Sequence, residues 1–272
     1  MKRLLAKMGL ASAYKIQQVL CPTRFLFVVG HMRSGSSLLT HILNTNAEIS
    51  GYGETHLRYS SRQDLDRLVW TVYKDLRQVR VTRFTMDKVL HNDYLEECLF
   101  FSQDCMFLFL VREPEGTLRS LVRAIPEWHG DPEVDADAVL SDAWGHYTLR
   151  LRGIEQEARA IRDQHRASFL TYDQLINRTY DSFGMIEHFL GLRTQLSENY
   201  HQTRMTGRYV SGDTSPNIKK GYIDRAIRYD DAPIIDAARM DEASRCYARV
   251  TSLLSSRFLS LDPTTAQTTS QI

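Results

Sequence analysis

Three features of this 272-residue sequence predict an α/β fold, with a parallel sheet flanked by helices on both faces. Residues 25–29 and 106–111 are short, uninterrupted apolar runs, the pattern of strands buried on both sides. The first run is followed at once by a glycine- and serine-rich turn and then by a helical pattern. Later apolar runs are likewise separated by helical stretches, and strands joined this way take right-handed crossovers.

Taken in order, residues 1–20 have apolar residues interrupted by Lys7, Lys15 and two glutamines, which predicts an amphipathic helix rather than a secretory signal. Strand 25–29 leads through the turn 30–37 into a helix at 38–44, and 49–52 is a short second strand ending at Gly53. Residues 61–80 are helical in pattern; 84–98, with Lys88 and His91, read as a loop leading into a helix. Strand 106–111 is broken by Arg112–Pro114 and followed by a helix at 116–124, then by a proline-rich loop at 125–134 carrying Trp128 and His129. Residues 135–165 form a long helix in which Trp144 and Tyr147 pack, and 168–171 is a third strand. A helix at 179–190 stops at Gly191, 205–224 lack periodicity, and a last helix covers 232–258. The Thr- and Gln-rich end, about 262–272, reads as disordered. No repeat or linker splits the chain, so one domain over 1–272 is expected.

Composition narrows the partners. Lys plus Arg is 34 against 33 for Asp plus Glu, a formal net charge of +1, which gives no argument for nucleic acid or an anionic membrane surface. No apolar run approaches a membrane span. Cys21, Cys98, Cys105 and Cys246 form neither a CxxC pair nor a disulfide framework. A cytoplasmic protein with reduced cysteines and no metal centre is the expectation.

The turn Gly30-His31-Met32-Arg33-Ser34-Gly35-Ser36-Ser37 has the makings of an anion site. Small residues let backbone approach a ligand, the helix start presents N–H groups and positive dipole, and the Ser34, Ser36 and Ser37 hydroxyls add donors. Arg33 adds a permanent planar cation. A nucleotide triphosphatase would carry Lys at the place of Ser36. No acidic residue ends the strand at 106–111 either, where Arg112 stands instead. Eight residues after Arg112 comes Ser120, on the following helix and able to meet the same phosphate.

Together these segments resemble the PAPS-dependent sulfotransferase family, PAPS being 3′-phosphoadenosine 5′-phosphosulfate. Arg33-Ser34-Gly35-Ser36-Ser37 is similar to its 5′-phosphosulfate loop, in the Arg form of carbohydrate and tyrosylprotein enzymes. Val111 through Ser120 is similar to its 3′-phosphate motif, and Tyr172-Asp173-Gln174-Leu175 to a segment following its next strand. Lys219-Lys220-Gly221 resembles the loop that closes over the nucleotide, without the full family sequence, and Gly212–Ser215 just before it has a bacterial sulfotransferase character. The resemblance spans roughly residues 25–225 and implies a P-loop nucleotide-kinase-like fold that takes PAPS as donor and needs no metal.

The resemblance also implies a chemistry. Arg33 would stabilise charge on the transferring group. Glu54, in Gly51-Tyr52-Gly53-Glu54-Thr55-His56, matches a segment whose glutamate is the base, with His56 and His91 as rivals. Lys88, within an Asp-Lys segment of carbohydrate-type members, would hold the donor's bridging oxygen or place the acceptor. The acceptor is expected to be a hydroxyl of a carbohydrate or of a specialised metabolite. A P-loop small-molecule kinase and a non-catalytic nucleotide-binding protein are the alternatives. Neither a Lys in the loop nor, for a triad hydrolase, G-x-S-x-G is present.

Overall fold

The computed structural model describes residues 23–78, 80, 82–129, 135–208, 216–226 and 235–261. The N-terminal helix, Cys21, the 212–215 segment and the terminal tail of the sequence reading lie outside these, as do the side chains of Trp128 and His129.

Six parallel strands, β1 (Arg24–Gly30), β2 (Ile49–Ser50), β3 (Phe84–Val89), β4 (Cys105–Val111), β5 (Ala167–Thr171) and β6 (Leu259–Ser260), lie in the order β2-β3-β1-β4-β5-β6. The helices are α1 (Ser36–Thr45), α2 (Arg62–Leu76), α3 (Pro114–His129), α4 (Ala136–Ala160), α5 (Tyr172–Asn177), α6 (Thr179–Leu190) and α7 (Ala237–Arg257). Alternation along the strands divides the core. Phe25, Phe27 and Val29 of β1 join Phe107, Phe109 and Val111 of β4 under α2, α3, α4 and α7. Leu26, Val28, Met106, Leu108 and Leu110 join the apolar residues of α1, α5 and α6 on the other face. After β1 the chain runs toward β2 and β3; after β4 it runs toward β5 and β6. The two neighbours therefore release their loops in opposite directions, the arrangement that opens a ligand crevice at the strand C-termini.

Several expectations are corrected. Residues 84–89 are not a loop but the buried strand β3, register-paired with β1 from Arg24↔Phe84 to Val29↔Val89. Its hydrophobic run is interrupted by Thr85, Asp87 and Lys88, all buried, so polar residues mask a fully enclosed strand. α2 stops at Leu76 because Arg77 turns left-handed at φ 53°. α3 extends into the expected 125–134 loop as far as His129, α4 ends at Ala160, and α7 starts at Ala237 behind an Asp236 cap. Among the described residues of 205–224, Pro216–Lys220 form a short 3-10 turn. A capping box, Thr171 with Gln174, starts the unexpected α5. Among the described residues no helix is long and apolar enough to cross a membrane.

Phe27 is fully buried, edge-on to Tyr59 at 4.9 Å and stacked with Phe107 at 5.8 Å. Phe27→Ala is expected to cost about 3–5 kcal/mol in urea unfolding. Leu149→Ala, at a side chain 60% exposed, is expected to change stability by less than about 0.5 kcal/mol.

Candidate active site

The loop between β1 and α1 is shaped by two left-handed residues, Arg33 at φ 65° and Gly35 at φ 88°. Gly35 cannot carry a side chain, since a Cβ there would stand 2.4 Å from Cδ2 of Tyr172. As the N-cap of α1 it offers no side-chain cap, and no acidic residue stands in the first turn. Ser34 Oγ is fully buried with no hydrogen-bond partner among the described residues. An uncapped helix start, an orphaned buried hydroxyl and a neighbouring guanidinium fit a bound anion.

The second loop locks onto the first. Arg33 Nε donates to Ser120 Oγ at 2.8 Å, and Arg112 Nη1 donates to the Arg33 carbonyl at 3.5 Å. The Arg112 guanidinium lies over the Tyr172 ring, 4.3 Å from its centroid, and that ring rests against Gly35. Arg112 N–H donates to His31 Nε2 at 3.0 Å, while His31 Nδ1 contacts the Met32 carbonyl at 2.9 Å. These partners select the neutral tautomer with the proton on Nδ1. Burial, helped by Arg112 and Arg150, pushes the His31 imidazole down to about 4.

Four ionisable side chains cluster just beyond β2 and at the C-terminal end of β3. Glu54 is buried, with Lys88 Nζ 3.5 Å from Oε1 and His91 Nε2 and His56 Nδ1 3.7 and 3.8 Å from Oε2. Lys88, itself buried, donates to Ser37 Oγ at 3.0 Å, so it stands between the first turn of α1 and the carboxylate. Burial lowers the His91 imidazole below its ordinary value; the Glu54 carboxylate opposes that shift, and His146, Arg150 and His56 add to it.

Asp87 holds this edge in place. It accepts from Thr55 N–H at 2.9 Å, Thr55 Oγ1 at 2.7 Å and Tyr59 Oη at 2.5 Å, while Lys88 N–H donates to the Gly53 carbonyl at 3.1 Å. Glu54 is thus pinned on both sides. Burial raises the Asp87 carboxyl to about 6 despite these donors.

The structure gathers Arg33, Ser34, Gly35, Ser36, Ser37, Glu54, His56, Lys88, Arg112, Ser120 and Tyr172 at one end of the sheet. Lys219, Lys220 and Gly221 are held within their own loop. The Lys219 carbonyl accepts from Gln202 Nε2 at 2.6 Å, Lys220 pairs with Asp224, and the Gly221 carbonyl accepts from Tyr200 N–H at 2.8 Å. The 203–206 segment docks on α1, with Thr206 Oγ1 2.8 Å from His41 Nε2. Asp87, Tyr147 and Arg150 were not among the sequence-derived site residues. The polar pair inside β3 was the available signal for Asp87; no local pattern marks the other two.

Fold and site define a transferase of the nucleotide-binding α/β class. The chain belongs to the sulfotransferase domain family, whose model matches residues 24–224, and it is a sulfotransferase. Its fold is similar to that of the sulfotransferase domain from the curacin biosynthetic pathway, with TM-score 0.59, 18% identity, and 84% of this chain and 98% of that one covered. The sulfotransferase domain from the Synechococcus PCC 7002 olefin synthase gives TM-score 0.55 at 17% identity, covering 84% and 95%. The mouse sulfotransferase SULT7A1 complexed with PAP gives 0.52 at 14%, covering 86% and 89%. No curated protein sequence matches the chain significantly.

Because the His31 value of about 4 lies below its ordinary 6.5, the unfolded chain takes up the proton first as pH falls. The stabilisation is full above pH 6.5 and is lost progressively toward pH 4, by about 3 kcal/mol. His31→Gln keeps an acceptor for Arg112 N–H and is expected to flatten this slope in urea unfolding between neutral and acid pH.

Proposed function

We propose that the chain, acting as a single domain, transfers the sulfuryl group of PAPS to a hydroxyl of a small-molecule or carbohydrate acceptor. The observation that carries this reading is the contact chain Ser37–Lys88–Glu54, which leads from an anion loop to a buried carboxylate within two side-chain contacts. In it, the α1 N-terminus, the loop serines and Arg33 hold the 5′-phosphosulfate, and Arg112 with Ser120 holds the 3′-phosphate. Tyr172, already stacked on Arg112, orients that guanidinium. The family match and the PAP complex of the mouse relative support this donor.

PAPS supplies an activated sulfuryl group with a bisphosphate leaving group. The chain's residues position it and handle the proton. Glu54 takes the proton of the acceptor hydroxyl as that oxygen forms its bond to sulfur, and the bond from sulfur to the 5′-phosphate oxygen breaks. Arg33 and Lys88 lie where charge grows on the leaving and equatorial oxygens, and neither needs to lose a proton. His56 and His91 flank the same Glu54 oxygen from wetter positions, at 43% and 34% exposure, and lead the proton outward. Lys219, Lys220 and Gly221 close over the nucleotide if their loop moves onto it.

Thermal unfolding with 3′-phosphoadenosine 5′-phosphate (PAP), AMP, and ATP with magnesium tests the donor. PAP at about a hundred times its Kd adds roughly 2.7 kcal/mol. That corresponds to a rise in Tm of about 5–10 °C for a chain of this size. The rise is expected to be small with AMP and to disappear with PAP in Arg112→Ala. A rise with ATP and magnesium alone would favour a kinase.

A further inference from the structure

Two side chains on one face of α4 reach the ends of the two central strands. Arg150 Nε donates to the carbonyl of Gly30, the last residue of β1, at 2.9 Å. Tyr147 Oη donates to the carbonyl of Arg112, the residue just after β4, at 2.8 Å. Three positions apart on a helix, the two donors share a face, and both side chains are buried. They contact the chain at the two points where it leaves the sheet for an anion loop.

A carbonyl oxygen facing the crevice would repel the oxygens of a bound phosphate. Held toward α4, each peptide plane turns its oxygen away and its N–H the opposite way, because the peptide unit is planar and trans. The intervening residue completes the arrangement: His31 follows Gly30, packs edge-on against the Tyr147 ring at 4.9 Å, and accepts the Arg112 N–H.

The Arg150 charge is balanced. Nη1 and Nη2 each donate to Glu157 at 2.9 Å, and Nη1 also donates to Asn92 Oδ1 at 2.7 Å. The Asn92 seat exists because residue 153 is glycine; a Cβ there would stand 2.0 Å from Asn92 Oδ1. A guanidinium so neutralised offers fixed geometry more than free charge. Its three partners lie at the end of β1, on the loop after β3 beside His91, and on α4 itself.

We propose that Arg150 and Tyr147 are positioning residues of the donor site, fixing both phosphate loops by holding the Gly30 and Arg112 carbonyls toward α4. The inference rests on PAPS being the donor, and neither residue touches the nucleotide itself.

Calorimetric titration of the full chain with PAP tests it, using Arg150→Gln, Tyr147→Phe and the control Ile154→Val, with urea unfolding run on each. Ile154 is a fully buried residue of the same helix whose side chain carries no hydrogen-bond donor. Arg150→Gln is expected to weaken PAP about tenfold or more and Tyr147→Phe about threefold or more. Ile154→Val loses stability without losing PAP affinity. Should Arg150→Gln not fold, Tyr147→Phe decides, since it removes one hydroxyl and keeps the ring. Folded variants that bind PAP within about twofold of wild type overturn the proposal, as does an equal loss in Ile154→Val. A wild-type chain that does not bind PAP instead overturns the donor reading on which the proposal rests.

Discussion

The hydrogen bond from Arg112 N–H to His31 Nε2 is the contact on which the site is organised. β1 and β4 are neighbours in register, Gly30 opposite Leu110, but register alone leaves their loops free to diverge. The imidazole joins the first residue beyond one strand to the first beyond the other. It can do so only as the neutral Nδ1–H form, since a second proton would place donor against donor, and full burial enforces that form. With the join made, the Arg33 backbone lies under Arg112 and the Arg33 side chain on Ser120. Two cations from separate loops then form one surface. Arg33 holds a left-handed conformation there, which a non-glycine residue adopts only when its surroundings impose it.

A second constraint sits across β1. Asp87 and Lys88 are adjacent on a buried strand, so their side chains point to opposite faces of the sheet. Asp87 binds the 55–59 segment under α2, while Lys88 reaches Ser37 in the first turn of α1. One strand thereby fixes Glu54 from two directions, through the backbone that follows it and through an ion pair with its carboxylate. The placement is costly. Asp87 is a buried carboxyl whose ionised form is disfavoured, and three donors are needed to keep it there.

The sequence made parts of this legible and hid others, for physical reasons. The strands of 25–29 and 106–111 were readable because burial on both faces demands continuous hydrophobicity, and Gly191 marked a helix end by its left-handed cap. Arg33, Arg112 and Ser120 were readable because their segments, in order along the chain, resemble the motifs of a family that this chain belongs to. β3 was missed because the site residues it carries break the pattern that announces a strand. Tyr147 looked like helix packing, which it also is; its hydroxyl acquires a partner only when α4 crosses the end of β4. Arg150 could not be found from spacing, since its partners at residues 30 and 92 are distant in sequence.

The most direct measurement of the central claim follows labelled sulfuryl from PAPS into a mixed pool of sugars, phenols and aliphatic alcohols, with wild type and Glu54→Gln side by side. Wild type is expected to label an organic acceptor. Glu54→Gln should do so at least about a hundredfold more slowly while binding PAP as tightly as wild type. Labelling by Glu54→Gln at the wild-type rate, or PAP binding without transfer to any acceptor, would contradict it.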